Sequence, residues 1–287
     1  MSHTVQDTIR AATRELTAAG IDSATIDARR LVAHALAIAP DRLSLVAGDA
    51  IMPAALGILD AAIAARVDRQ PVSQIIGRRM FWGRDFKVTP AVLDPRPETE
   101  VLIGAALAQP YSRLLDLGTG SGCILLTLLA ENPGASGTGT DINEDALKIA
   151  GENRAALQLE GRAELSPSDW FQNVTGRYDL IVSNPPYIAL GEMATLAPEV
   201  LKWEPMAALT PGESGLEAYE IIAANVVNFL NPGGRVLLEV GPTQAPAVAA
   251  LFRARGLEND VIHSDMDGRD RAVEIRLPQR VDASKPR

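Results

Sequence analysis

The chain reads as an α/β protein: an open, mostly parallel sheet wound on both faces by helices, preceded by a small helical domain. Three observations predict this. From Arg113 onward, short runs of β-forming residues alternate with amphipathic helical stretches, the signature of parallel strands joined by crossover helices. A glycine loop, Gly118-Thr119-Gly120-Ser121-Gly122, separates the first of these strands from its helix, as in nucleotide-type βαβ units. Residues 1 to about 72 carry helical periodicity alone.

With 287 residues, 47% of them hydrophobic, the chain is long enough to bury one large core and a small one. No apolar run reaches the roughly 18 residues of a membrane span, and the polar start Met1-Ser2-His3-Thr4 lacks the basic-then-apolar order of a signal peptide. A cytoplasmic protein is expected. The single cysteine, Cys123, excludes intramolecular disulfides, and one cysteine with three histidines makes a poor metal site, so no metal is expected. A net charge of −9 argues against an electrostatic nucleic-acid binder, which concentrates Lys and Arg to neutralise phosphates.

The elements follow in order. Val5, Ile9, Ala12 and Leu16 are spaced for one helical face and stop at Gly20. A second helix, capped by Asp22 or Ser23, carries the stripe Ala28, Leu31, Val32, Ala35 and Leu36 up to Pro40. Pro53 opens a third, with Leu56, Leu59, Ile63 and Val67 on its apolar face. His34, beside the second stripe, reads as structural or partly exposed. From Ile75 to Val88, β-formers flank Gly83, predicting a hairpin that links the domains over residues 73–94. It gathers aromatic and basic residues, suited equally to docking a partner and to packing between domains. Arg96-Pro97-Glu98-Thr99-Glu100 then leads into a helix over 101–107, whose start Thr99 or its neighbours mark and whose first turn favours the carboxylates of Glu98 and Glu100.

The larger domain, residues 95–280, alternates regularly: strand 113–117, helix 123–131, strand 136–140, helix 144–157, a short strand near 163–165, strand 178–182, helix 215–230, strand 235–240, helix 246–255, and strands near 261–263 and 272–277. Residues 281–287 are expected to be a disordered tail.

Two motifs carry chemistry. The glycines of the 118–122 loop let backbone approach a ligand, the following helix presents free N–H groups, and Asp141 after the second strand is placed to accept from ribose hydroxyls. A G-x-G-x-x-G dinucleotide frame starting at Gly118 would need its third glycine where Cys123 stands, and no Gly-Lys-Ser/Thr of a phosphate loop follows. The frame Asp116-Leu117-Gly118-Thr119-Gly120-Ser121-Gly122 resembles instead that of S-adenosylmethionine-dependent methyltransferases; Cys123 then reads as helix packing. Trp170, in the loop after the fifth strand region, is suited to stacking near an adenine or to partial burial as a loop aromatic.

The second motif is Asn184-Pro185-Pro186-Tyr187 after the run Tyr178–Val182, at the carboxyl end of a strand, where ligands of such sheets bind. The paired prolines forbid a helix and fix the backbone, so the Asn184 amide and the Pro185 carbonyl aim two acceptors at one target. A planar –NH2 has two hydrogens for such a pair, leaving its nitrogen lone pair facing an electrophile. Asn-Pro by itself reads as a turn ending a strand.

With Arg96–Glu100, Asn184–Tyr187, Glu204-Pro205 and Gly212-Glu213-Ser214-Gly215-Leu216 in this order, the sequence resembles the PrmC/HemK family of peptide chain release factor glutamine methyltransferases from the helical domain nearly to the C-terminus. The resemblance implies a Rossmann-like S-adenosylmethionine-dependent methyltransferase domain with a seven-stranded sheet behind a helical substrate-recognition domain. It implies methylation of the glutamine in the Gly-Gly-Gln motif of class 1 release factors by a monomer, with no direct nucleic-acid or membrane partner. Gly118, Thr119, Gly120, Ser121, Gly122, Asp141, Trp170 and Asn184 would hold S-adenosylmethionine. Asn184, Pro185, Pro186 and Tyr187 would hold the glutamine, with Asn184, Pro185 and Tyr187 catalytic. Asp94 stands where the family usually has an apolar residue, and Ser214 where it usually has Asp. The residues alone leave open a ribosomal-protein glutamine methyltransferase, a methyltransferase of adenine or guanine amino groups, which the charge disfavours, and a nucleotide-binding module without catalysis.

Overall fold

The structure, a computed structural model, describes residues 4–278; the expected tail at 281–287 lies outside them. The chain divides into two compact units, residues up to Arg78 together with Ala197–Trp203, and Arg79–Leu196 together with Glu204 onward.

The first unit is helical: α1 (Val5–Ala18), α2 (Ala24–Ala35), α3 (Pro53–Val67), α4 (Val72–Ile76) and, from far along the chain, α8 (Pro198–Trp203). Thr4 caps α1 by accepting the Asp7 N–H, and Val5, Ala12 and Leu16 turn inward, as their spacing requires. Leu31, Val32, Leu59 and Ile63 complete the core. Two expectations are corrected. Val67 is exposed, because the α3 face that turns inward continues through Ala62 and Arg66. Ile75 and Ile76 belong to α4, so the hairpin starts only at Arg78. Arg66 is buried against Asp27, its Nε 2.8 Å from the carboxylate, and its Nη1 lies 3.1 Å from Glu199 of α8. Trp203 Nε1 donates to the Asp68 carbonyl at 3.0 Å, and Lys202 pairs with the Asp68 carboxylate.

The hairpin β1 (Arg78–Phe81) and β2 (Arg84–Lys87) lies, from Arg79 on, in the second unit. Trp82 and Gly83 both have positive φ, which a tight two-residue hairpin turn demands. Phe81 and Phe86 meet edge-on at 6.1 Å and are buried in this unit's own core, while Met80 is 68% exposed. Then come α5 (Glu100–Leu107), β3 (Arg113–Leu117), α6 (Cys123–Glu131), β4 (Ser136–Asp141), α7 (Glu144–Ala156), β5 (Ala163–Pro167), β6 (Tyr178–Ser183), α9 (Met206–Leu209), α10 (Glu217–Asn225), β7 (Leu230–Glu239), α11 (Ala245–Arg253), β8 (Glu258–Ser264) and β9 (Asp270–Arg276). The seven-stranded sheet has the order β5-β4-β3-β6-β7-β9-β8, parallel except for β9, which runs antiparallel to both neighbours.

Side chains alternate across the sheet with the period of two that strands impose: Leu114, Leu180 and Val182 face α5 and α6, while Leu115 and Ile181 face α10 and α11. The strand order reverses between β3 and β6, so their carboxyl ends flank the crevice where ligands of such sheets bind.

The helix expected over 215–230 ends at Asn225 in a short 3₁₀ turn, and Leu230 already pairs with Tyr178 as strand. β6 next pairs at Leu180 with Arg235, so Asn231–Gly234 bulges out; a side chain on Gly234 would lie 3.1 Å from the Tyr178 carbonyl. Strand β5 runs on to Pro167, past its expected end, and the short helices α8 and α9 were not expected at all.

Candidate functional site

At the carboxyl ends of β3, β4 and β6 lies a cavity of about 350 Å³, lined by residues of the second unit. Gly118 and Gly120 line it at φ +69° and +55°, and a Cβ on either would meet no atom within 4 Å. The loop backbone thus adopts a left-handed conformation that opens its surface to a ligand. Gly122, also left-handed, serves packing: its Cβ would press to 2.9 Å from Leu126, and it does not line the cavity.

Carboxylates hold this loop in shape. Asp116 Oδ2 accepts from the Thr119 hydroxyl at 2.7 Å and from the Leu125 N–H at 3.2 Å. Fully enclosed, Asp116 is pushed up to about 7 by burial, which its two hydrogen bonds only partly offset. Asp141, the last residue of β4, accepts the Gly120 N–H at 2.8 Å on one oxygen and the Asn143 N–H at 2.9 Å on the other. Burial raises its pKa too. Each Asp141 oxygen keeps a lone pair for a further donor. The Ser121 carbonyl is fixed by Asn153 Nδ2 at 2.8 Å.

Trp170 lines the cavity at φ +49°, a rare conformation for a bulky residue. Ser168 holds it there: its hydroxyl donates to the Trp170 carbonyl at 2.9 Å and accepts the Asn173 N–H at 3.0 Å. Cys123 also lines the cavity, but burial pushes its thiol up to about 12, so it is protonated and no nucleophile near neutral pH.

Of the Asn184–Tyr187 motif, Asn184 and Pro186 line the cavity, whereas Pro185 is buried and Tyr187 packs half-buried against the core beneath α10 and α11. Burial, reinforced by the Glu239 carboxylate, pushes the Tyr187 phenol up to about 12. Asn184 Nδ2 lies 3.4 Å from the Thr99 hydroxyl. The motif's backbone is clamped by Gln244, whose Nε2 donates to the Tyr187 carbonyl at 2.9 Å while its Oε1 accepts the Gly241 N–H at 3.0 Å. Gly215, at φ +74°, passes so close that a Cβ would sit 2.5 Å from the Tyr187 carbonyl. Beyond the motif, the Ile188 N–H donates to the Leu209 carbonyl and the Leu190 N–H to Gly212.

The structure therefore brings Gly118, Thr119, Gly120, Ser121, Asp141, Trp170, Asn184 and Pro186 to one cavity, and leaves Gly122, Pro185 and Tyr187 off its wall. Sequence reasoning missed Thr99, Gln244 and Glu239. A place at or near a helix start accounts for Thr99 locally, yet it lies inside the Arg96–Glu100 string, a signal of another use; Gln244 carries no signal. The two departures from the family pattern have local answers. The Ser214 hydroxyl accepts the Leu216 N–H at 3.1 Å, as a carboxylate oxygen would, and Asp94, buried at the cavity wall, lies 3.9 Å from Arg79. Arg96 pairs with the buried Glu204, joining two of the motif strings. Among the described residues, no group of three His, Cys, Asp or Glu side chains is placed to hold a metal ion, and no helix is long and apolar enough to cross a membrane.

Two family models match the chain, PrmC N-terminal domain over residues 7–77 and Methyltransferase small domain over residues 94–212. The release factor glutamine methyltransferase of Cereibacter sphaeroides is 58% identical over 95% of this chain and 98% of its own. That of Rhodospirillum rubrum is 44% identical, over 91% and 81%. Among solved structures, the hMettl16 catalytic domain (TM-score 0.57, 16% identity, 82% of this chain and 84% of that one) and a methyltransferase from Pyrococcus furiosus (0.53, 18%, 76% and 98%) share the fold. A nearly full-length match at this identity, with both family models in sequence order, leads to one conclusion: the chain belongs to the release factor glutamine methyltransferase family.

Proposed function

We propose that the chain transfers a methyl group from S-adenosylmethionine to the side-chain amide nitrogen of the glutamine in the Gly-Gly-Gln motif of class 1 peptide chain release factors, acting as a cytoplasmic monomer. The observation that carries this reading is the placement of Asn184 on the wall of the same cavity as the glycine loop and Asp141. The cavity suits the cofactor: Gly118 and Gly120 leave a cradle that side chains would fill, and Asp141 keeps lone pairs for ribose hydroxyls. Trp170 and Ile142 offer apolar surface for the adenine. When bound, S-adenosylmethionine supplies a methyl group made electrophilic by its sulfonium.

An amide nitrogen is a poor nucleophile, because its lone pair is delocalised into the carbonyl. Orientation is therefore the main contribution left to the protein, and alignment of reacting groups accounts for roughly 7–11 kcal/mol of a barrier in favourable systems. In this reading the Asn184 Oδ1 and the Pro185 carbonyl each take one amide hydrogen, and both bonds strengthen as positive charge develops on nitrogen. Tyr187, packed against the core and held through its carbonyl by Gln244, keeps the turn in place. The helical unit recognises the protein substrate.

The test is to incubate labelled S-adenosylmethionine with release factors carrying Gly-Gly-Gln or Gly-Gly-Glu and with a DNA duplex, locating the methyl by mass spectrometry. Glutamine is expected to be methylated and glutamate rejected, since a carboxylate offers no hydrogens to two acceptors. Asn184→Ala is expected to lower turnover by roughly 10²–10³-fold, the scale of one lost preorganised transition-state hydrogen bond. Efficient methylation of DNA, or wild-type turnover by Asn184→Ala, would overturn the reading.

A further inference from the structure

We propose that Thr99 and Glu239 are positioning residues that fix which way the Asn184 side-chain amide faces, and so make the site competent. The inference rests on the reading of Asn184 given above. Glu239, the last residue of β7, and Thr99, just before α5, are 3% and 2% exposed. The Thr99 hydroxyl is close enough to the Glu239 carboxylate to favour its ionised form, and it lies 3.4 Å from Asn184 Nδ2. The Glu239 backbone is held by the Tyr219 hydroxyl, which donates to its carbonyl at 2.9 Å.

A hydroxyl has one proton. If Thr99 gives it to the ionised Glu239, its oxygen is left only as an acceptor toward Asn184. Asn184 then presents its NH2 to Thr99, and its Oδ1 turns to the cavity as the acceptor that a substrate amide requires. With the amide reversed, two NH2 groups would face each other, and methyl transfer would lose one of its two holding bonds. The two amide orientations differ in which group meets Thr99, so the position of the Thr99 proton selects between them.

This orientation depends on pH. Burial, with a contribution from the Glu98 carboxylate, pushes Glu239 up to about 7 against the opposing Thr99 bond and the charges of Arg271 and Arg96. Glu239 also faces Tyr187, Tyr219 and Cys123, all raised by burial so that they keep their protons through neutral pH. As the pH falls through about 7, Glu239 takes up a proton that it donates to Thr99, whose own hydrogen is then free to turn toward Asn184. The preference for Oδ1 facing the cavity disappears, and turnover falls with it. Asp116 is raised to about 7 as well, but its bonds go to Thr119 and Leu125, so removing the ionisable group at 239 separates the two.

The experiment measures single-turnover methylation of release factor against pH, together with calorimetric cofactor affinity as a check of folding, for wild type, Thr99→Val, Thr99→Ser, Glu239→Gln and Asn184→Ala. Thr99→Val is expected to lower the rate about tenfold or more with cofactor affinity kept, and Thr99→Ser to restore it, because one hydrogen bond is at stake. Glu239→Gln is expected to abolish the fall in rate below about pH 7, leaving a flat, lowered profile. A wild-type rate for Thr99→Val, or an acidic limb that persists in Glu239→Gln while Asn184→Ala is impaired, would overturn this inference alone. A wild-type rate for Asn184→Ala would instead remove the reading beneath it.

Discussion

At the scale of single residues, the glycine loop depends on carboxylates as well as on its glycines. Asp141 was expected to serve a ribose, yet it also holds the Gly120 N–H, so one side chain shapes the cradle and faces its ligand. Asp141→Ala is expected to weaken cofactor binding by about 1.5–3 kcal/mol, the effect of losing hydrogen bonds to a charged group, and calorimetry on the folded variant decides this. Asp116 gives a pH prediction of definite sign. Its carboxyl is raised from 3.8 to about 7 in the folded chain, so between these values the folded state holds a proton that the unfolded state has released. Stability from this group is full below about pH 4 and declines by up to about 1.4 kcal/mol per pH unit as the pH rises to 7. Urea denaturation of wild type and Asp116→Asn across pH 4–8 is expected to show the variant gaining on wild type over that window. A constant difference would mean that Asp116 does not titrate there.

At the scale of elements, the strands and the helices next to the loop were legible because alternation and 3.6-residue periodicity are written locally: β3 and α6 begin and end where the pattern puts them. Boundaries failed where tertiary contacts override the local pattern. Leu230 was drawn into a helix by its neighbours but is strand because Tyr178 pairs with it. Val67 completes an apolar stripe yet is exposed, because Arg66 takes the inward position to meet Asp27. The Asn184–Tyr187 turn was readable as a motif, but its supports, Gln244 and Gly215, are 57 and 28 residues from Tyr187 and reach it only through the fold. Gly215→Ala tests that support. Its Cβ would meet the Tyr187 carbonyl at 2.5 Å in a backbone conformation costing about 1–2 kcal/mol for a residue with a side chain. The turn must shift, so turnover is expected to fall while cofactor affinity, set by the loop on β3, changes little. Unchanged turnover in a folded Gly215→Ala protein would show that the turn keeps its shape without this close approach.

At the scale of the whole molecule, the chain does not divide where the sequence divides. Ala197–Trp203, leaving the second unit shortly after the Asn184–Tyr187 turn, is counted with the helical unit, where Arg66, Asp68 and Gln74 hold it. Nothing local marks this: Pro198–Trp203 is only six residues long, and its partners lie some 130 residues away. Deleting residues 1–72 would strip Glu199 and Lys202 of their partners and Trp203 of its bond to Asp68, so a point substitution probes the helical unit more cleanly. Arg66→Ala leaves Asp27 buried without its cation and is expected to cost the helical unit about 3–5 kcal/mol. The cavity is lined by residues of the other unit, so a cofactor present at about 100 times its Kd adds roughly 2.7 kcal/mol to that unit and not to the helices. Scanning calorimetry of the full chain is expected to show the substitution lowering one transition and the cofactor raising another. Cofactor affinity should be retained in Arg66→Ala while methylation of intact release factor declines. If one transition responds to both, the two units unfold as a single cooperative body, and the loss of methylation would then report stability and not recognition.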